Sequence, residues 1–433
     1  MKKRNPSISP FFFCHLSFFI CLLSFFLFSC QKSTNPVQTG SLNMELLDVT
    51  CTEAFLGVEF DPGYVNKTLN LYRNDSLIEN RPLSAADTIL LAEGLWPNTS
   101  YEFRASITEG EKRLVSSAPL RVTTMDTTSH DFTWQSWEFG GQGGSSVFYD
   151  VAIIDENDIW AVGEIYTADD KYNAAHWDGE KWELKKLDWD GIVSRLTCVF
   201  AFSSDDVWFG VTNLIHWNGF TFEKNWNPVL DEFYDKTINK IWGTSSEDLY
   251  VVGNKGLIAH YDGREWRRVE SGTEMDIQDI WGTYNNNKNN YEIMCIASNK
   301  YNGDDRLLIK LSDIKSNRLN AKGLPWSLSS IWFKNVYNRY VCGDGIFKWN
   351  NTMNTWIKKE DGYAIYKHHI RGQNSNDLAL SGSYGLLVHF NGLTWKKELP
   401  IISRNFYSLD FNKNIIVAVG GDIRKARIAL GRR

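Results

Sequence analysis

The chain of 433 residues has no excess of basic charge, no cysteine pairing pattern and no motif of nucleophilic or metal chemistry. Its formal net charge is −6, and about −9 without Lys2, Lys3 and Arg4, so the body carries no general nucleic-acid footprint. The one basic stretch, Arg424, Lys425, Arg427, Arg432 and Arg433, reads as a solvated last strand and tail, with a polyanion contact as its alternative. Of 7 cysteines, Cys14, Cys21 and Cys30 fall in the N-terminal segment. Cys51, Cys198, Cys295 and Cys342 stand singly in apolar runs, which excludes a disulfide framework and a cysteine metal site and predicts buried thiols. Gly-x-Ser-x-Gly, His-Glu-x-x-His, Cys-x-x-Cys and a phosphate-cradling glycine loop are all missing. No catalytic residue, cofactor or metal ligand is therefore expected, although loops of several repeats can still gather a site.

What the chain has is a charged N-terminus followed by an apolar run, Phe11 to Ser29. It reads as a targeting segment, with an uncleaved anchor as the alternative. Leu27-Phe28-Ser29-Cys30 resembles the lipobox of bacterial lipoproteins, with Phe28 departing from the small or β-branched residue usual at its place. The resemblance implies cleavage before Cys30 and lipidation of that cysteine, and several acyl chains on one residue give stable anchoring. No Asp follows Cys30, so the expected place is the outer membrane, facing the periplasm or the outside. The expected division is a signal peptide at 1–29, a polar tether at 30–40, a first module at 41–125 and a second at 131–433.

The first module alternates strands such as Phe55–Phe60 and Leu69–Arg73. Leu95-Trp96-Pro97-Asn98-Thr99-Ser100-Tyr101 resembles the corner signature of fibronectin type III domains, which implies a β-sandwich with the Tyr101 hydroxyl bonded back across the corner. In the second module a phrase returns roughly every 40 residues: His176-Trp177-Asp178-Gly179-Glu180-Lys181-Trp182, His216-Trp217-Asn218-Gly219, His260-Tyr261-Asp262-Gly263 and His389-Phe390-Asn391-Gly392. Asp-Gly or Asn-Gly between strand residues predicts a two-residue hairpin with both turn residues at φ > 0. Seven units opening on apolar strands, from Val151-Ala152 to Leu409-Asp410, predict an all-β, seven-bladed β-propeller of four-stranded blades. The last unit lacks a fourth strand, and Phe132–Phe139 has no partner where it stands, so that piece is expected to close the ring. The propeller resembles those of predicted bacterial surface lipoproteins with Trp-Asp-Gly-x-x-Trp hairpins, and lacks the repeat signatures of WD40, kelch and sialidase propellers.

The repeated histidines fall one per blade and are read as structural. The first-turn acids Asp158, Asp206, Asp248 and Asp377 are read as acceptors of backbone N–H groups. Trp242, Trp281 and Trp332 are read as packing between blades. The loops between second and third strands, with the connections between blades, vary most and carry aromatics beside acids. Tyr166, Asp169, Asp170 and Tyr172 in blade one, Tyr301, Asp304 and Asp305 in blade four, and Tyr363 in a connector are the expected ligand contacts. Trp189, Phe233, Tyr234 and Tyr366 are further connector aromatics. Together these features predict a lipid-anchored envelope protein that binds a glycan or a protein partner. The alternatives are a glycan lyase or hydrolase using Asp169, Asp170, Asp304 or Asp305, and a structural part of an envelope assembly. No nucleic acid is expected, and the oligomeric state is open.

Overall fold

A computed structural model describes residues 41–84, 87–225, 237–286, 288–299, 305–400, 404–422 and 424–433. The leader and the whole tether, Cys30 included, lie outside these residues, as do Phe233, Tyr234, Tyr301 and Asp304.

Alternating apolar side chains build the first module into two facing sheets. Strands Leu42–Val49, Ala54–Phe60 and Asp87–Ala92 form one. Thr68–Arg73, Ser76–Pro82, Ser100–Glu109, Lys112–Ser116 and Leu120–Thr123 form the other. Leu56, Leu69, Leu90, Phe103 and Ile107 share one core between them. The corner bond expected of Tyr101 forms: its hydroxyl accepts from the Trp96 backbone N–H at 2.9 Å.

Seven four-stranded antiparallel sheets follow among the described residues. They span 147–185, 198–225, 238–268, 277–319, 328–359, 367–397 and 405–432. The seventh sheet takes Thr133–Gly140 as its outer strand, paired with Lys425–Arg432 from Gly140↔Lys425 to Thr133↔Arg432. First strands of successive blades lie side by side, and that of blade seven meets that of blade one. The ring is thus closed by the early segment. The basic C-terminus is spent on this closure: Lys425 pairs with Glu138, Arg432 lies over Trp177, and Arg433 grips Asp377 at 2.7 Å.

The repeated phrase makes a different turn from the expected one. Trp177 faces Trp182 across the hairpin, leaving four residues between the strands. Only the glycine has φ > 0, at 96° for Gly179. The preceding Asp178 Oδ1 accepts from the N–H groups of Glu180 and Lys181, both at 2.9 Å, and Asn218, Asp262 and Asn391 do the same. The Asp or Asn is there as a side-chain acceptor that organises the loop, not as a left-handed residue. The glycine is required twice over, because a Cβ on Gly179 would also meet Asn157 of the adjacent turn at 2.8 Å.

The first-turn acids also do something other than expected. Each accepts from the histidine on the neighbouring strand: His176 to Asp158 at 2.8 Å, His216 to Asp206 at 2.9 Å, His260 to Asp248 and His389 to Asp377 at 2.7 Å. Three of these rings stack on the second-strand aromatic, at 4.3 Å for Trp160 and Trp208 and 4.0 Å for Tyr250. Blade four has Glu292 and Lys310 in the same places, also paired. Blade five has Asn338 and Lys348 there, so its own acid is missing. The sandwich supplies it: Glu53 pairs with the buried Lys348, and Asp48 accepts from the Asn338 amide. Beside this pair Phe55 lies 5.8 Å from Tyr337. Cys51 fills the space over Gly392, and Asn376 Nδ2 donates to the Asp126 carbonyl at 2.7 Å. The sandwich therefore sits on the face made by the first-to-second and third-to-fourth strand turns, over blades five and six. Cys51, Cys198, Cys295 and Cys342 are free and buried, as expected.

Candidate functional site

The propeller axis is filled by ion pairs. In six first strands a register shift falls at one place, at Tyr149, Asn239, Gln278, Ser329, His368 and Tyr407. A bulge of this kind re-aims a side chain. The residue after each bulge turns into the axis: Asp150, Lys240, Asp279, Ser330, His369 and Ser408. Lys240 of blade three reaches Asp150 of blade one at 2.5 Å, and Ser408 joins the same carboxylate at 2.7 Å. Arg371 of blade six grips Asp279 of blade four with two bonds, 2.9 and 3.0 Å. Burial opposes the charge on Asp279, but Arg371 outweighs it and holds that carboxyl below its usual range. Burial raises Asp410, which is held by the Ile153 N–H at 2.8 Å. Only about 80 Å³ is left on the axis, between Trp242, Trp281, Arg371 and Asp410, which is room for a few waters. A ligand would rest on the axis rather than pass along it.

The bulged residues themselves form the mouth above this plug, on the face of the variable loops and opposite the sandwich. Tyr149 and Tyr407 lie 6.4 Å apart, Tyr407 and His368 5.2 Å, and His368 and Tyr366 5.2 Å. The Tyr366 hydroxyl is fixed by Ser327 at 2.8 Å and Ser329 at 2.6 Å. Arg195 lies 5.8 Å over Tyr149. Glu164 accepts from Tyr149 at 3.4 Å and Tyr166 at 3.3 Å. Burial and the Glu164 charge raise the Tyr149 hydroxyl. Next to the arc, Tyr384 is held at φ 56° by a bond from its N–H to Asn405 and is 59 % exposed. A bulky residue in that backbone region is an outlier of the sort that clusters at binding sites.

Of the expected contacts, Tyr166 belongs to this arc. Asp170 is paired with Lys186, which lies 5.2 Å over Tyr172, and Asp169 is exposed. Tyr363 packs against the core between blades five and six, and its carbonyl accepts from Lys367. Asp305 is exposed in blade four, three places round the ring from blade one. Trp242 and Trp332 are buried between blades, and Trp281 lies under Arg371 at 4.8 Å. Sequence reading missed Tyr149, Glu164, Arg195, His368, Tyr384 and Tyr407. The signal for half of them was present: a polar or aromatic pair before the apolar pair of each first strand, as in Tyr149-Asp150-Val151-Ala152 and Tyr407-Ser408-Leu409-Asp410. A larger space of about 720 Å³ separates the sandwich from blade four, but its central acid, Glu292, is already held by Lys288 and Lys310.

No protein-family model matches the chain, and no curated protein matches it. Among solved structures, YCF48 bound to D1 peptide is similar with a TM-score of 0.52 at 15 % identity, covering 71 % of this chain and 100 % of that one. The WD40 β-propeller domain of Doa1 is similar with a TM-score of 0.50 at 13 % identity, covering 68 % of this chain and 96 % of the other. At such identities the likeness speaks for the fold, and with the sheet order it makes the larger module of this chain a β-propeller.

Proposed function

We propose that this chain is a lipid-anchored binding protein of the bacterial envelope whose propeller mouth takes an extended segment of a protein partner. The observation that carries the reading is the aromatic arc Tyr149–Tyr407–His368–Tyr366, with Arg195, Glu164 and Tyr166 at its edge, set over a plugged axis on the face the sandwich leaves open. Rigid aromatics beside an arginine are the side chains that dominate binding hot spots. A peptide ligand in a similar structure, YCF48 with its D1 peptide, favours a protein segment over a glycan. Leu27–Cys30 supports the anchor, and the Tyr101 corner supports a fibronectin type III assignment for the sandwich that joins anchor to propeller.

Hydrolase or lyase chemistry is the weaker reading. A general acid needs a raised carboxyl, whereas Lys186 and the Lys171 N–H hold Asp170 below its usual range. The test is selection from a random peptide library alongside a glycan array, followed by single variants. Tyr149→Ala and Tyr407→Ala should each weaken the selected peptide roughly tenfold or more, and Phe220→Ala on the opposite face should change nothing. Selection of glycans only, or full affinity in Tyr407→Ala, would overturn the proposal.

A further inference from the structure

Blade six departs from the other His–Asp blades in one respect. Its His389 gives Nε2 to Asp377 like the rest, but its Nδ1 faces a second imidazole, His130 Nδ1, at 2.7 Å. His130 comes from the segment that leads into the ring-closing strand, 259 residues away in sequence. The two rings stand edge-on at 87°. Glu398 Oε1 lies 3.9 Å from His130 Nδ1, and its side chain is 3 % exposed. Among the described residues that oxygen has no hydrogen-bond partner, while Oε2 is held by Trp134 Nε1 at 3.2 Å. All three donor atoms lie within 4.8 Å of one another.

The donors are of the right kind. No lysine or arginine among the described residues pairs with Glu398. His389 is oriented by a carboxylate on its far nitrogen, the arrangement that fixes the tautomer of a metal-bound histidine. That carboxylate is itself clamped by Arg433 at 2.7 and 3.0 Å. Tetrahedral zinc with ligands at 2.0–2.1 Å separates its donors by about 3.3 Å. The 2.7 and 3.9 Å separations here bracket that value, and the third pair, within 4.8 Å, has to close by up to about 1.5 Å as the ion binds.

We propose that His130, His389 and Glu398 hold one divalent ion of the zinc type, with solvent at the fourth position on the partly open His130 side. The ion ties the segment entering the closing strand to blade six. It is independent of the binding mouth, which lies on the other face.

The purified full chain, stripped with a chelator, is titrated with Co²⁺ and read by its visible d–d absorption. An intense four-coordinate spectrum saturating at one equivalent, and displaced by Zn²⁺, is expected. His130→Ala should abolish it and Glu398→Gln should weaken Co²⁺ binding at least tenfold. Glu398→Gln keeps shape and the Trp134 contact, so its loss reads as ligation rather than misfolding. Absence of a saturable spectrum, or one that survives in both variants, overturns the proposal.

Discussion

Removing Glu53 should strand a charge. Lys348 is 8 % exposed, and among the described residues Glu53 is the one carboxylate in direct contact with it. Phe55 and Tyr340 rings lie at 5.7 and 5.6 Å from its ammonium. Burial by itself would push Lys348 down, but Tyr340 and Glu53 outweigh it and hold the ammonium above the usual lysine range. In Glu53→Ala that support goes, and breaking a buried pair from one side costs about 3–5 kcal/mol. An upper bound follows from deprotonation: a lysine of ordinary pKa is neutralised at pH 7 for about 4.6 kcal/mol. The two figures agree.

The pH dependence then distinguishes the cause. In the native chain the folded pKa is raised, so the contribution is complete below 10.5 and is lost only as pH climbs past it. Between pH 6 and 9 this group leaves native stability flat. In Glu53→Ala the folded pKa falls below the unfolded one, so the unfolded chain binds the extra proton. Stability of the variant should then rise with pH by up to about 1.4 kcal/mol per unit. Urea unfolding at pH 6, 7.5 and 9, followed by tryptophan fluorescence, reads both effects. Glu53→Leu with Lys348→Met should recover most of the loss. An unchanged midpoint in Glu53→Ala, or a double variant as weak as the single, would refute the claim that blade five borrows its acid from the sandwich.

Deleting 130–140 removes the outer strand of blade seven and should abolish the cooperative thermal transition seen by circular dichroism; a retained transition would mean the ring closes without it. The thiols of Cys51, Cys198, Cys295 and Cys342 should be inert to an aromatic disulfide reagent until the chain is denatured, since burial raises all four, Cys51 to about 11. Asp158, Asp248 and Asp377 are held below their usual range by His176, His260 and the His389–Arg433 pair, against the burial that opposes ionisation at each. Their contribution is present above the unfolded carboxyl pKa and is lost as pH falls through the depressed values. Acid unfolding should therefore begin below about pH 4, and Asp248→Asn should flatten it.

The architecture was legible because hairpins declare themselves locally. An Asn-Gly between aromatics, a histidine one residue earlier and an apolar pair at each unit's start are short-range signals. Even the closing strand could be found, since a strand without a partner must seek one. The turn type was misread because Asp178 and its counterparts work through side-chain oxygens, which look identical in sequence to residues chosen for a left-handed backbone. The His–Asp pairing was hidden for a related reason: each half was noticed, but only the register Trp160↔His176 puts Asp158 beside the ring. The mouth was missed because it is assembled by a bulge, and a one-residue slip leaves no mark in composition. His130 and His389 meet only after the ring has closed, and no spacing rule reaches across it.

The most direct test of the binding claim is hydrogen–deuterium exchange of the full chain with and without its selected peptide. Slowed exchange at 147–150, 164–168, 195–197, 366–369 and 405–408, with the turns near Phe220 and Leu393 unchanged, is the predicted result. Protection confined to the turn face, or to the space between the sandwich and blade four, would contradict it.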